Sequence, residues 1–329
     1  MYKNKTILIT GGTGSFGNAF VDYLLKKKIN FKKIIIFSRD EFKQFHMQKR
    51  YKQKNLSQMR FFLGDIRDKD RLRLAFKDVD VVIHAAALKQ VPAAEYNPLE
   101  FIKTNIIGAK NISEIALETN VKSLVSLSTD KACAPINLYG ATKLCADKLF
   151  VSSNNIKGKK KIKFSVVRYG NVFGSRGSVF HEFQKQKREG LIKITDKNMT
   201  RFNIFLQEAI EMVLWTDQNS LGGEIVVPKL KSFRIKDLAE IVAPNAKKVF
   251  TGVRPGEKIH ETLVTKNEGL ECIQNNKYYL IINDEEVRQK YLIKSKFKKF
   301  DKNFDYSSDN KKLILSKNDL RKELVSFIK

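Results

Sequence analysis

Six short apolar runs punctuate the first half of the chain: TILIT (6–10), KIIIFS (33–38), RFFLGD (60–65), DVVIHAAA (80–87), SLVSLS (123–128) and KFSVVRYG (163–170). Most are apolar at consecutive positions, as parallel strands buried between two helix layers are. Between them the period lengthens. Phe16, Phe20 and Leu24 recur at helical spacing and predict a helix over about 15–27, and a basic helical stretch starts at Glu41. This alternation predicts an α/β fold, a Rossmann-type doubly wound parallel sheet. Beyond about residue 172 the pattern turns irregular. A helix is expected over about 206–217, with Ile210, Val213 and Leu214 on one face, and another near Lys236. The tail reads as a helix with Ser316 as N-cap and an apolar stripe of Leu320, Leu324 and Ile328. The expected organisation is a nucleotide-binding domain over 1–172 and a smaller α/β substrate-binding region over 173–329. That region would pack over the sheet's carboxyl edge, with segments free to interleave.

Composition narrows the class. At 42% hydrophobic and 29% charged residues, the 329-residue chain has globular composition and enough length for a full core. No apolar run approaches the roughly 20 residues of a membrane span. The first residues enter a strand-like run without a signal-peptide layout. Cys133, Cys145 and Cys272 share no metal spacing, and three is an odd count for a disulfide framework, so no metal and a reducing cytoplasm are expected. The net charge of +27 raises a nucleic-acid reading. Lysines are spread along the whole chain, however, and the cluster KGKKKIK (157–163) leads into an apolar run, so the charge reads as a solvated surface. No specific nucleic-acid partner is expected; an anionic small molecule would gain from the field.

Chemistry enters with TGGTGSFG (10–17). Gly11, Gly14 and Gly17, with Thr13, Ser15 and Phe16 beside them, lie between the first strand and the first helix. A tight turn, close backbone approach and free helix N-terminal amides make a pyrophosphate cradle. Ser38 and Arg39 at the end of the second strand offer a hydroxyl and a guanidinium to a 2′-phosphate, which favours NADP. Asp40 would fill the NAD position after a one-residue slip. Ala85, Ala86 and Ala87 are small enough for backbone to lie against a cofactor, although helix–sheet packing explains them as well. Tyr139 and Lys143 are four apart and share a helix face. An ammonium beside a phenol favours the phenolate, so the pair suits proton removal from a hydroxyl while hydride leaves the same carbon. Thr129 is placed to hydrogen-bond that hydroxyl.

The Gly-x-x-Gly-x-x-Gly spacing, Thr129 and Tyr139-x-x-x-Lys143 together resemble the extended short-chain dehydrogenase/reductases. The set STDKACAPINLYGATK (128–143) resembles their UDP-N-acetylglucosamine 4,6-dehydratases, where Asp130 and Lys131 replace the Asp-Glu pair of the dTDP-glucose enzymes. The likeness continues through AAALKQVPAAEYNP (85–98), VRYGNVFGSRGSV (167–179), ITDKNMTRF (194–202), RPGEK (254–258) and YSSDN (306–310). It implies a tightly bound, recycled NADP, with Asp65 and Ile66 at the adenine. It implies Lys131 as the base at carbon 5 and Asp130 as the acid at the carbon 6 hydroxyl. Lys89, Asn171, Ser178, Val179, Thr195, Met199, Arg201, Arg254 and Glu257 are carried over as contacts to the UDP-sugar, with Arg201 and Arg254 facing the diphosphate. Tyr139, where a retaining branch carries methionine, implies inversion at carbon 5, toward pseudaminic-acid-type sugars of surface glycans or flagellin. A homo-oligomer, hexameric in the family, is implied likewise. A retaining dehydratase or a 4-epimerase is the alternative. Cys133 departs from the pattern and has no assigned role.

Overall fold

The six apolar runs all become strands. A computed structural model describes residues 2–51, 56–174, 178–293, 296–300 and 304–328. It holds β1 (Thr6–Thr10), β2 (Lys33–Ser38), β3 (Met59–Leu63), β4 (Val81–His84), β5 (Ser123–Thr129) and β6 (Lys163–Tyr169). They run parallel in the order β3-β2-β1-β4-β5-β6. The order reverses beside β1, and in such sheets the crevice at the strands' carboxyl ends receives ligands. Register brings the pieces to one level, because Thr10 pairs with Phe37 on one side and His84 on the other. The glycine loop, Ser38 and the alanines therefore leave from one edge.

Every residue of β1 and β4 is buried, which explains why their sequences do not alternate. The helix Ser15–Lys26 packs against Leu206–Asn219, and Gly108–Glu118 packs against both Lys69–Ala75 and Leu138–Ser152. These two helix groups cover the sheet. One difference from the sequence expectation is local: β4 stops at His84, and residues 85–87 continue as loop. Ala85 N still bonds Thr10 O at 3.2 Å, so the alanines stay alongside the glycine loop after the ladder ends.

The second half crosses back into this sheet. Ile225–Pro228 pairs parallel to β6, Tyr278–Ile281 follows antiparallel, and Cys272–Gln274 and Lys298–Lys299 complete ten strands. A separate small core gathers Phe173, Phe183, Ile194, Met199, Leu238 and Leu320. It lies among the helices Val179–Arg188, Ile235–Val242 and Lys317–Ile328 and the paired strands Leu191–Ile194 and Lys247–Phe250. On the helix Leu206–Asn219, Ile210, Val213 and Leu214 are buried. In the tail Ser316 Oγ accepts from Asp319 N at 3.2 Å, and Leu320 and Leu324 are buried; the Ile328 side chain lies outside the described residues. No helix among the described residues is long and apolar enough to cross a membrane.

Candidate active site

The first wall of the site is main chain. Gly11 has φ +64°, and a Cβ there would lie 2.9 Å from the backbone of Ala86, so the loop and the alanine stretch meet only through a glycine. Gly14 then caps the helix Ser15–Lys26, whose first turn carries no acid to occupy its free amides. Thr13 and Ser38 share a hydroxyl–hydroxyl hydrogen bond at 2.8 Å. Asp40 is engaged elsewhere: its carboxylate accepts from Lys43 N at 2.9 Å and pairs with the Lys43 ammonium, at the start of the helix Glu41–Tyr51. Arg39 is half-exposed and 3.4 Å from Asp65. Asp65 itself is gripped by Arg67 at 2.8 Å.

The second wall is the turn after β5. Thr129 leads into a single helical turn, Asp130–Ala132, and the helix Leu138–Ser152 begins just beyond. Asn137 caps that helix by accepting from Gly140 N at 2.8 Å, and donates to Gly256 O at 2.7 Å. A Cβ on Gly140 would come 2.1 Å from the Lys131 carbonyl oxygen, so this glycine lets the helix press onto the turn. Tyr139 and Lys143 are both buried. Lys143 Nζ donates to Leu127 O at 2.8 Å; burial lowers its pKa, with Asp147 opposing. Burial pushes Tyr139 up to about 12, against the pull of the Lys131 charge and the Thr129 hydroxyl. The cation that tempers the phenol here is thus Lys131, whereas the spacing had pointed to Lys143.

Lys131 reaches into the most highly charged part of the cavity. Its Nζ lies 3.0 Å from Asp130 Oδ1 and 3.3 Å from Glu261 Oε1. Burial works against its charge, but the two carboxylates outweigh it and hold Lys131 above the usual lysine range. Asp130 Oδ2 and Glu261 Oε2 are buried without a hydrogen-bond partner. Burial first, then the Asp130 charge, lifts the Glu261 carboxyl above the ordinary range, against Lys131, Arg201 and Lys258.

Both walls face one cavity of about 1290 Å³, above the roughly 300–1,000 Å³ of common small-molecule sites. Gly11, Thr13, Gly14, Ser15, Phe16, Ser38, Arg39, Ile66 and residues 85–87 line it on the cradle side. Thr129, Asp130, Lys131, Tyr139 and Lys143 lie between, and Lys89, Asn171, Ser178, Arg201, Arg254 and Glu257 line the far side. Five sequence candidates fall outside the lining. Gly17 faces the Gly12 backbone, and Asp65 is held by its arginines. Val179 opens the helix behind Ser178, Thr195 follows the strand Leu191–Ile194, and Met199 belongs to the second core. Arg201 lines the cavity with much of its guanidinium already used, by the carbonyls of Thr200, Lys258 and Ile259 at 2.7–3.0 Å. Arg254 is largely exposed and forks onto Glu257 at 2.8 and 3.0 Å.

Sequence reasoning missed several contributors, of which Asn105, residues 90–92 and Glu261 matter most to the geometry. Asn105 clamps the main chain of Leu88 through Oδ1 and Nδ2, both at 2.9 Å, and reaches Thr142 at 3.0 Å. It sits in a π-helical turn, Ile102–Ile107, a distortion that often marks functional sites. A polar residue on an otherwise apolar helix face was the available signal. Residues 90–92 and Glu261 also line the cavity. Glu261 lay three positions beyond RPGEK with nothing local to single it out. Among the described residues, no cluster of three or more His, Cys, Asp or Glu side chains is poised for a metal.

Known proteins share this architecture. A family model described as polysaccharide biosynthesis protein matches residues 7–283. The inverting UDP-N-acetylglucosamine 4,6-dehydratase of Campylobacter jejuni is 48% identical, covering 97% of each chain. A UDP-glucose 4-epimerase of Rickettsia bellii is 41% identical over 95% of this chain and 94% of its own. The solved structure of Pen from Bacillus thuringiensis superposes with a TM-score of 0.89 at 34% identity, covering 99% of this chain and 98% of that one.

Proposed function

The chain belongs to the polysaccharide biosynthesis protein family, and from that membership we propose that it is a nucleotide-sugar dehydratase. It converts UDP-N-acetylglucosamine into a UDP-4-keto-6-deoxy-N-acetylhexosamine with inversion at carbon 5. One observation carries the reading: a second acid–base pair, Asp130 and Lys131, opens onto the same cavity as Tyr139. A 4-epimerase passes through a transient ketone and has no proton to remove at carbon 5 and no hydroxyl to expel. The Campylobacter relative supports the substrate and the stereochemistry.

The residues present fit a nicotinamide dinucleotide. The Gly11–Ala86 approach brings two stretches of main chain together at the cavity wall, and Gly14, Ser15 and Phe16, at the free N-terminal amides of the first helix, line the same cavity. When bound, the nicotinamide supplies a hydride acceptor for carbon 4 and a donor for carbon 6. NADP is favoured because Ser38, Arg39 and Lys43 gather at the end of β2 while Asp40 is occupied by Lys43.

The chain's own groups divide the rest. Tyr139 takes the 4-hydroxyl proton as its phenolate, which the Lys131 charge and the Thr129 hydroxyl favour against burial, with Thr129 orienting the 4-hydroxyl. Lys131 rests as an ammonium, so it must first become an amine. Passing one proton across 3.0 Å to Asp130 makes the base and the acid in a single transfer. The Lys131 lone pair then takes the carbon 5 proton, made acidic by the adjacent ketone. The released electron pair becomes the C5–C6 double bond as the C6–O bond breaks, and Asp130 protonates the departing oxygen to give water. Carbon 6 regains hydride, and carbon 5 takes a proton, equivalent to the one Tyr139 must give up, from the face opposite Lys131, which completes the inverted product. Lys131 ends as an ammonium and Asp130 as a carboxylate, as they began.

Incubation with UDP-N-acetylglucosamine in deuterated water, followed by NMR, tests the reading. A 4-keto sugar with a carbon 6 methyl group and deuterium at an inverted carbon 5, without net accumulation of reduced cofactor, is expected. A UDP-N-acetylgalactosamine product without a methyl signal would establish the epimerase instead.

A further inference from the structure

Resting on that reading, we infer that Glu261 is the positioning residue of the carbon 5 step. It holds Lys131 Nζ in place and serves as counter-ion to the ammonium that forms when Lys131 collects the carbon 5 proton. The need for such a group follows from proton bookkeeping. At the moment Lys131 takes the carbon 5 proton, Asp130 has already accepted one and is a neutral carboxylic acid. An ammonium then grows on a side chain that is mostly buried, where an unpaired charge is costly. Glu261 is the other carboxylate within ion-pair reach of that nitrogen among the described residues, with Oε1 at 3.3 Å.

The surroundings are built to keep Glu261 there. Only 2% of the residue is exposed. Its main chain is pinned on both sides by Ser308: the Glu261 N–H donates to Ser308 Oγ at 2.9 Å, and Ser308 N–H donates to Glu261 O at 2.8 Å. Ser308 in turn shares a hydrogen bond with Thr200 Oγ1 at 2.7 Å. Arg201 Nε stands 3.7 Å from the same Glu261 Oε1, and its other nitrogens are held by carbonyls and by Glu257, so the guanidinium steadies the Glu261 charge from a fixed position while Lys131 keeps the shorter contact. Glu261 Oε2 is buried and unpartnered while the residue lines the cavity. A carboxylate with a purely structural duty would be satisfied through both oxygens. Here one oxygen is on the base and the other is buried without a partner.

Glu261→Gln keeps the size and removes the charge. Single-turnover absorbance of reduced nicotinamide would follow oxidation at carbon 4, and solvent deuterium entry at carbon 5 would follow the Lys131 step. Near-normal oxidation is expected, with carbon 5 exchange and water loss slowed by about a hundredfold or more, the scale of a general-base contribution. A carbon 5-deuterated substrate should then show a larger isotope effect than with the wild type, and Glu261→Asp should recover part of the rate. Equal loss of both steps, or dehydration within about threefold of normal, well below that scale, would overturn the inference. Should Glu261→Gln fail to fold, Glu261→Asp must show the same split, and an even loss in it overturns the idea equally. The wild type runs in parallel: if it releases no keto sugar, the dehydratase reading itself fails and takes this inference with it.

Discussion

The two lysines of the cavity live in opposite settings. Lys143 gives its ammonium to the main-chain carbonyl of Leu127, and burial lowers its pKa. Lys131 keeps part of its side chain in contact with solvent, and Asp130 and Glu261 raise it against the burial of the rest. The cradle side, around Lys143, is made of backbone, hydroxyls and small side chains from neighbouring loops. The sugar side, around Lys131, is made of ionised groups drawn from distant parts of the chain. The first arrangement is preorganised, and its one proton step is the 4-hydroxyl proton that Tyr139 takes. The second passes a proton between groups 3.0 Å apart, loses it to water and takes another from carbon 5 in each cycle. One site thus separates cofactor binding and oxidation at carbon 4 from the acid–base traffic at carbons 5 and 6 by building them from different materials.

The sharpest way to break this comparison is to disable one side at a time. Tyr139→Phe removes the group that accepts the 4-hydroxyl proton, and oxidation at carbon 4 should fall by about 10²–10⁴-fold. Lys131→Ala should slow that oxidation only in part, through the lost charge beside Tyr139, and then stall with reduced nicotinamide and a 4-keto sugar, as single-turnover absorbance will read. Dehydration by Lys131→Ala at close to the normal rate would remove Lys131 from the base role.

Gly140→Ala tests the seam between the two sides. Its methyl group would meet the Lys131 carbonyl at 2.1 Å, a backbone contact that only a shift of helix or turn relieves. A loss of about 1–3 kcal/mol in denaturant unfolding is expected, the usual scale of overpacking. An unchanged midpoint would show that the helix and turn are less tightly opposed than described.

On the cradle side, Arg39→Ala should reduce the preference for NADP over NAD by about tenfold in thermal-shift titration. That corresponds to about 1.4 kcal/mol, one partly exposed charge-assisted contact. Equal shifts by both cofactors in the wild type would refute the 2′-phosphate argument.

The smallest effect is expected at Cys133, which follows the Asp130–Ala132 turn directly. Burial pushes its thiol up to about 12, so it is neither nucleophile nor acid at neutral pH. Cys133→Ala should keep dehydration within about twofold, and iodoacetamide should label exposed Cys145 while sparing Cys133. A large rate loss would place a further ionising group on the sugar side.

The cradle and the Tyr139–Lys143 face were legible because each lies within one short segment, where spacing dictates geometry. Asp130 and Lys131 were legible as neighbours in sequence. Glu261 was not, since its contact with Lys131 spans 130 positions and leaves no periodic trace. Asn105 escaped for the same reason, its partners lying 17 and 37 positions away. The run DVVIHAAA looked uniform, yet its last three residues serve the loop opposite and not the ladder. Met199 and Arg201 come from an irregular stretch in which sequence offers no face. Packing assigns the first to the second core and spends much of the second on carbonyls. The sheet's six parallel strands were readable from consecutive apolar residues; its extension by strands from the second half was not, because those runs are short and scattered.

That extension bears on how the chain is made. On a ribosome, β6 is complete at Tyr169, but its neighbour begins only at Ile225. At about 5–20 residues per second, the intervening stretch takes roughly 3–11 s to synthesise. Throughout that interval a strand buried on both faces in the finished enzyme stands as a raw edge, open to pairing with any other nascent copy. Expression at lower temperature, or alongside a chaperone that shields exposed strands, should therefore raise the soluble yield more than any change at the active site.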